Sequence, residues 1–321
     1  MKKVLRDIFL GIVLGVFLVF AIAQITPTVK VELDDFLNEW STMISNVFHR
    51  SVERLTGDLN NILATGQAVS EDTETNKGVS GSEYTFDGTY DVYYTMLSED
   101  EKILYAQIVA NAESVLDSFT PEVSGLNEKN VENAYQAVLF DHPEIFWLDT
   151  QYAYKYIESG EIVEVELKYN DLINDLENNK NLFNSAVNSI IETTYAYTST
   201  YDKEKAVHDA LLDMCEYDLN TTYNQTAYSA LVNHSTVCAG YAKSFQYIMK
   251  QLGIPCYYVS GTSEGEDHAW NIVYIDGAWK NCDLTWDDAA YSPYVFFNKS
   301  DAEISESHTR SDISMLLPSC Y

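Results

Sequence analysis

What the sequence is short of narrows its function before any motif is considered. Of 321 residues only 19 are Lys or Arg, against 49 Asp or Glu, for a formal net charge of −30 at pH 7. Nucleic-acid affinity comes chiefly from basic side chains that displace counterions from phosphates, so no nucleic-acid partner is expected. The same shortage argues against docking on anionic lipid headgroups, and the acidic excess reads as a soluble, self-repelling surface. There is no internal repeat, no Gly-rich phosphate loop and no EF-hand spacing. Glu264 to Asp267 lacks calcium-ligand spacing and reads as an exposed acidic loop. No metal and no cofactor is expected.

Outside the first thirty residues the chain has no long apolar run. Within them, Lys2, Lys3 and Arg6 precede an apolar stretch from Ile8 to Ile25, broken only by Gly11, Gly15 and Gln24. Residues 1–27 are thus a retained single-pass membrane anchor or a signal segment cleaved near Ala23, after Ala21-Ile22-Ala23. The run is long for a signal core, and an amphipathic segment follows it, which favours the anchor. In both readings the basic end stays inside and the chain after Pro27 lies outside the cytoplasmic membrane. Residues 28–64 form a juxtamembrane helix, with Phe36, Leu37, Trp40, Met43, Ile44 and Val47 at helical spacing; self-association through residues 33–55 is one use for that stripe. Residues 65–83 have almost no large apolar side chain and read as a flexible linker.

Residues 84–200 form a mainly helical subdomain. Ser98-Glu99-Asp100-Glu101 is a capping-box signature that opens one helix, and a second runs from Glu128 to Phe140, ending ahead of Pro143. Strand-like runs Tyr152 to Ile157 and Ile162 to Tyr169 flank Ser159-Gly160 as a hairpin. Asp171 to about Tyr195 and Asp202 to Glu216 read as helices.

Five cysteines, Cys215, Cys238, Cys256, Cys282 and Cys320, are an odd set for an exported chain, so at least one is left free or pairs intermolecularly. Pairing among Cys215, Cys256, Cys282 and Cys320 stays open. Cys238 heads a helical run in which Ala242, Phe245, Met249 and Leu252 recur on one face, with Ser235 or Thr236 as its cap. A helix N-terminus favours the thiolate and offers the Cys238 main-chain N–H as an oxyanion donor. His268 begins a strand that turns at Asp276-Gly277, and Ala278 to Thr285 reads as its partner. A two-residue loop puts Ile275 opposite Ala278, Trp270 opposite Asp283 and His268 opposite Thr285. His268 and Asp283 then share a face as diagonal neighbours about 7 to 8 Å apart. Trp270, Ile272 and Trp279 extend that face as an apolar surface for the Cys238 helix. The roles follow from the chemistry: Cys238 attacks an acyl carbon, His268 shuttles a proton, and Asp283 orients the imidazole. Trp270, Trp286 and Tyr228 are candidate walls of the substrate pocket. The second oxyanion donor is open among Tyr228, Asn233 and His234 by proximity. His142, His208 and His308 read as packing residues.

These same segments resemble the transglutaminase-like superfamily, and most of all its bacterial exported members: Ala227-Tyr228-Ser229-Ala230-Leu231-Val232, Val237-Cys238-Ala239-Gly240-Tyr241-Ala242, Gly253-Ile254-Pro255-Cys256, His268-Ala269-Trp270-Asn271, and Trp279 through Asp288. The resemblance is strong from about Tyr201 to Asp288 and weaker over Ala134 to Trp147 and Phe296 to Cys320. It implies an α+β fold with a papain-like core, in which the Cys-bearing helix packs on an antiparallel sheet over residues 201–321, behind a mainly helical N-terminal extension. It also implies that Cys238, His268 and Asp283 are a catalytic triad. The expected function is an extracytoplasmic thiol enzyme that transfers or hydrolyses protein or cell-wall peptide amides. The alternative is a non-catalytic cell-surface binding or scaffolding module that keeps the fold.

Overall fold

A computed structural model describes residues 62–321. The expected anchor or signal segment and the amphipathic stripe over residues 33–55 lie outside the described residues. The described residues fall in one compact unit. In chain order its elements are β1 (Leu63–Ala68), α1 (Val92–Thr95), α2 (Glu99–Glu113), β2 (Ser118–Phe119), α3 (Glu128–Asp141), β3 (Leu148–Tyr156), β4 (Ile162–Tyr169), α4 (Leu176–Thr193) and α5 (Thr200–Met214). There follow β5 (Glu216–Tyr217), β6 (Ser235–Thr236), α6 (Cys238–Gln251), β7 (Cys256–Ser263), β8 (Glu266–Ile275), β9 (Ala278–Cys282), α7 (Leu284–Ala289), α8 (Asp301–Ile304) and β10 (His308–Arg310). The fold is α+β. Among the described residues no helix is long and apolar enough to cross a membrane.

Local sequence accounts for the first half. The Ser98 hydroxyl accepts the Glu101 N–H while Glu101 Oε2 accepts the Ser98 N–H at 2.9 Å, so the capping box starts α2 as its spacing requires. Asn127 and Asn130 form the equivalent pair at α3. β3 and β4 pair antiparallel around Gly160, whose φ of 85° suits a turn. The four-stranded sheet they anchor has the order β1-β3-β4-β2.

One expectation fails here. Residues 65–83 are not a free linker: β1 pairs parallel with β3 from Leu63↔Gln151 to Ala68↔Tyr156. Beyond it, the Asn76 N–H donates to Glu164 Oε2 at 3.0 Å and the Val79 N–H to Asn111 Oδ1 at 2.9 Å. Main-chain hydrogen bonding is indifferent to side-chain hydrophobicity, so a polar stretch is ordered here without contributing to the core.

The second four-stranded sheet, of order β10-β7-β8-β9, carries the site. β8 and β9 pair antiparallel from Ile275↔Ala278 to Asn271↔Cys282. Asp276 and Gly277 have φ of 50° and 86°, the two consecutive positive values that a two-residue type I′ turn needs. Helix α6 packs on β7 and β8. It lies against the face opposite the one hairpin parity suggested: Asn271, which alternates with Trp270, donates from Nδ2 to Ala242 O at 3.0 Å, and Lys243 sits over the ring of Tyr258, the partner of Asn271 on β7. Trp270 and Ile272 are buried all the same, on the other side of the strand.

The core is continuous across residue 200. The Tyr93 hydroxyl donates to Tyr258 O at 2.7 Å, Gln246 Nε2 donates to Phe140 O at 2.8 Å, and Lys250 pairs with Asp91 at 2.6 Å. The helical half therefore braces the sheet and helix that hold the site.

Candidate active site

Cys238 is the first residue of α6 and is 2 % exposed. The residue before it is Val237, and no side chain caps the helix. Ser235 and Thr236 were expected to cap it, but both lie in β6, and the Thr236 hydroxyl donates to Asn224 O at 2.6 Å. The Gly240 N–H is taken up by Val237 O, and the remaining N–H groups of the uncapped first turn favour negative charge at the helix start.

His268 stands near the start of β8, beyond the reach of the β9 ladder, which ends at Asn271↔Cys282. Strand β9 stops there because Asp283 is an N-cap: its Oδ1 accepts the Trp286 N–H at 3.1 Å and α7 begins at Leu284. Thr285 is therefore helical, and does not face His268 across a ladder as sequence parity suggested. The cap leaves Oδ2 of Asp283 free for His268, whose Nε2 lies 2.6 Å away. With Nε2 so engaged, Nδ1 is the ring nitrogen left for the thiol, and Cys238 is close enough to influence the charge of His268.

The electrostatics are set by burial and pairing. Burial pulls the His268 imidazolium down, but the Asp283 carboxylate, followed by the Cys238 thiol, outweighs it and pushes the pKa up to about 10. Burial would raise the Asp283 carboxyl, but His268 and then His308 hold it well below the usual carboxylate range. Four more cysteines are buried. Burial pushes Cys215 up to about 11 and Cys320 up to about 12, and drives Cys256 and Cys282 well above an ordinary thiol. No disulfide joins any of the five cysteines.

Trp270 lies nearly parallel to His268, with ring centroids 6.0 Å apart, and Trp286 meets the same ring edge-on at 6.4 Å. Tyr228 is engaged elsewhere: its hydroxyl donates to Asn179 Oδ1 at 2.9 Å and its ring packs on Phe146. Of the other residues near the helix start, Asn233 and His234 are exposed, and His234 has a φ of 57° that ends a π turn.

Two histidines read as packing residues hold polar positions around the site. His208 is fully buried, with Nε2 3.1 Å from Asp287 Oδ2; Asp287 also accepts the Phe296 N–H at 2.7 Å, which ties α7 to the C-terminal segment. His308 is closer to the chemistry, its Nε2 lying 2.8 Å from Asp283 Oδ2. Nothing local marks it in Ser307-His308-Thr309-Arg310, because only the pairing of β10 with β7 brings it to the site. His142 lies elsewhere, bonded to Tyr105 and Glu144.

Among the described residues, His268, Asp283 and His308 form a group able to hold a metal ion, with ligand atoms within 4.8 Å of one another. Those same atoms are already paired as two N–H donors on one carboxylate oxygen, which leaves none of them orphaned.

A thiol at a helix N-terminus, near an imidazole paired with a buried carboxylate, is an arrangement suited to nucleophilic chemistry. Residues 189–284 match the family model described as the transglutaminase-like superfamily. The Kyphoscoliosis peptidase of Mus musculus is 27 % identical over 124 residues, covering 33 % of this chain and 18 % of the relative. That of Homo sapiens is 37 % identical over 68 residues, covering 17 % and 10 %. The chain thus spans less than a fifth of the length of the curated relatives it matches. Similar solved structures include a TGase (19 % identity, 52 % of this chain and 50 % of that one, TM-score 0.30). Another is the periplasmic domain of TgpA from Pseudomonas aeruginosa (17 % identity, 46 % and 59 %, TM-score 0.28).

Proposed function

We propose that this protein is a thiol enzyme that acts on carboxamide groups of proteins or peptides, with Cys238 as nucleophile, His268 as proton shuttle and Asp283 as the group that orients and charges the imidazole. The observation that carries this reading is the buried His268–Asp283 pair, 2.6 Å apart, beside the buried Cys238 at the start of α6, whose thiol contributes to the charge of His268. The thiolate adds to the amide carbonyl carbon, and the oxyanion develops beside the uncapped α6 N-terminus, where the Cys238 N–H is one donor. The His268 imidazolium gives its proton to the leaving nitrogen, ammonia or amine departs, and a thioester remains. An incoming amine or water then loses a proton to His268 and displaces the thiolate. Trp270 and Trp286 flank the imidazole and are proposed to wall off solvent there, while Tyr228 is proposed to act further back, where it shapes the pocket through Phe146.

The amino-terminal sequence supports a location outside the cytoplasmic membrane, tethered by residues 1–27, with extracellular protein or cell-wall peptide as substrate. Incubation of the protein with casein and a labelled primary amine separates the two outcomes of the thioester. Label incorporation that disappears in Cys238→Ala supports transfer, and casein cleavage without label supports hydrolysis. If wild type and Cys238→Ala behave alike in both assays on casein and on cell-wall peptides, the enzymatic reading falls and a binding module takes its place.

A further inference from the structure

The Asp283 carboxylate has two imidazoles on a single oxygen. His268 Nε2 and His308 Nε2 lie 2.6 Å and 2.8 Å from Oδ2, while Oδ1 accepts the Trp286 N–H at 3.1 Å. We propose that His308 is a positioning residue for the thiol chemistry: its Nε2–H fixes the plane of the Asp283 carboxylate so that Oδ2 stays directed at His268. This rests on the proposed role of His268 and Asp283.

The surroundings of His308 suit that task and no other polar one. Its side chain is 1 % exposed. The ring is enclosed by Trp270, Trp286 and Phe296 at centroid distances of 5.1, 5.3 and 5.6 Å, none of which offers an acceptor to its Nε2–H. Its other nitrogen, Nδ1, meets the Ser307 hydroxyl at 2.7 Å. If Ser307 donates to Nδ1, the imidazole is neutral with its proton on Nε2, and both ring nitrogens are satisfied. A carboxylate held only by the α7 cap and His268 could still swing about its Cβ–Cγ bond; a third donor, on a different strand, removes that freedom. The charged and titratable groups around Asp283 are His268 from β8, His308 from β10, the buried Cys282 at the end of β9 and Asp287 one turn along α7, with Cys238 of α6 acting through His268. Asp287 has its own partner in His208.

The test reads Cys238 directly and needs no known substrate: the rate of its alkylation by iodoacetamide from pH 5 to 10 in the full chain, with the alkylated residue located by mass spectrometry. Wild type is expected to react fast at pH 6, and His268→Ala to lose that rate. In His308→Ala the pH 6 rate is expected to fall roughly tenfold, a shift of about one unit in the acid limb, with little change at pH 9.5. His308→Gln, whose amide can donate to the same oxygen, is expected to stay within roughly threefold of wild type. If His308→Ala keeps the wild-type profile, or if His308→Gln is as impaired as His308→Ala, the proposal is overturned, the second result assigning His308 to packing alone. Wild-type Cys238 reacting no faster than an ordinary thiol, independently of His268, brings down the enzymatic reading and this one with it. Nitrogen NMR of the intact wild type does not depend on any variant folding. It is expected to find the His308 proton on Nε2, and an Nδ1–H tautomer with bare Nε2 overturns the proposal.

Discussion

Thr236 occupies the space that a side chain at Gly240 would need. A Cβ at residue 240 would overlap Thr236 Oγ1 and stand 2.9 Å from Thr226 O, in the first turn of the helix that begins at Cys238. The threonine is itself fixed by its bond to Asn224 O. The start of α6 is thus pressed against the preceding loop, and the position of the thiol depends on a residue with no side chain.

Gly240→Ala should therefore be harmful, although alanine is ordinarily the better helix former by about 1 kcal/mol. Overpacking of about 1–3 kcal/mol opposes that gain, and a net loss of stability is expected from urea unfolding, together with slower Cys238 alkylation. Combining it with Thr236→Ala should restore part of the stability, because the nearest obstructing atom, Thr236 Oγ1, is then gone while Thr236 Cβ and Thr226 O remain. A Gly240→Ala protein as stable and as reactive as wild type would mean that the first turn can shift freely.

Asp283→Asn keeps the shape of the side chain and removes its charge. Burial pulls the His268 imidazolium down and Asp283 is the main group holding it up near about 10, so the variant should lose the imidazolium at neutral pH. Cys238 alkylation at pH 6 is expected to fall at least about tenfold, with the rates converging above pH 9, where a thiolate forms without help. Rates that stay equal across the range would show that the carboxylate does not charge the imidazole.

Glu204 gives a pH dependence unrelated to catalysis. It is buried, burial raises its carboxyl from 4.5 to about 8, the Asn298 amide only partly offsets this, and Oε1 has no partner. A group with a raised folded-state pKa contributes stability that is fully present below its unfolded value, near 4.5, and is lost as pH rises through about 8. Glu204→Gln never ionises, so its urea midpoint should fall less than that of wild type between pH 5 and pH 9. Parallel declines would assign the alkaline loss to other groups.

Thiol counting should separate the cysteines sharply. In the native protein, brief iodoacetamide treatment at pH 7 is expected to modify Cys238 and spare the other four, whose thiols burial drives upward; in denaturant all five should react. Rapid native labelling of Cys256 or Cys282 would point to an opening of the β7–β9 sheet.

Much of the site was legible locally. Asp276-Gly277 dictates a two-residue turn, and that turn fixes a register in which Asp283 follows the last pair, Asn271↔Cys282. The capping box at Ser98 and the helix beginning at Cys238 were readable for the same reason, since each depends on residues within a turn or two. Parity failed where a capping propensity overrode it: Asp283 ends the strand by accepting the Trp286 N–H, so Thr285 turns away into α7. The linker reading failed because strand pairing is a main-chain property that polar composition does not forbid.

The sequence by itself singled out Cys238, His268 and Asp283 as candidates for the thiol, the imidazole and the carboxylate, because helix start, strand alternation and turn geometry are short-range rules. The tertiary structure alone decided which side of β8 receives the helix, that the helix N-terminus has no capping side chain, and that Asp283 serves a second histidine from the far end of the chain. Each of these depends on a meeting between segments that are distant in sequence. His308 lies 25 residues from Asp283 and reaches it only because β10 pairs with β7, a contact for which no local pattern of residues is a sign.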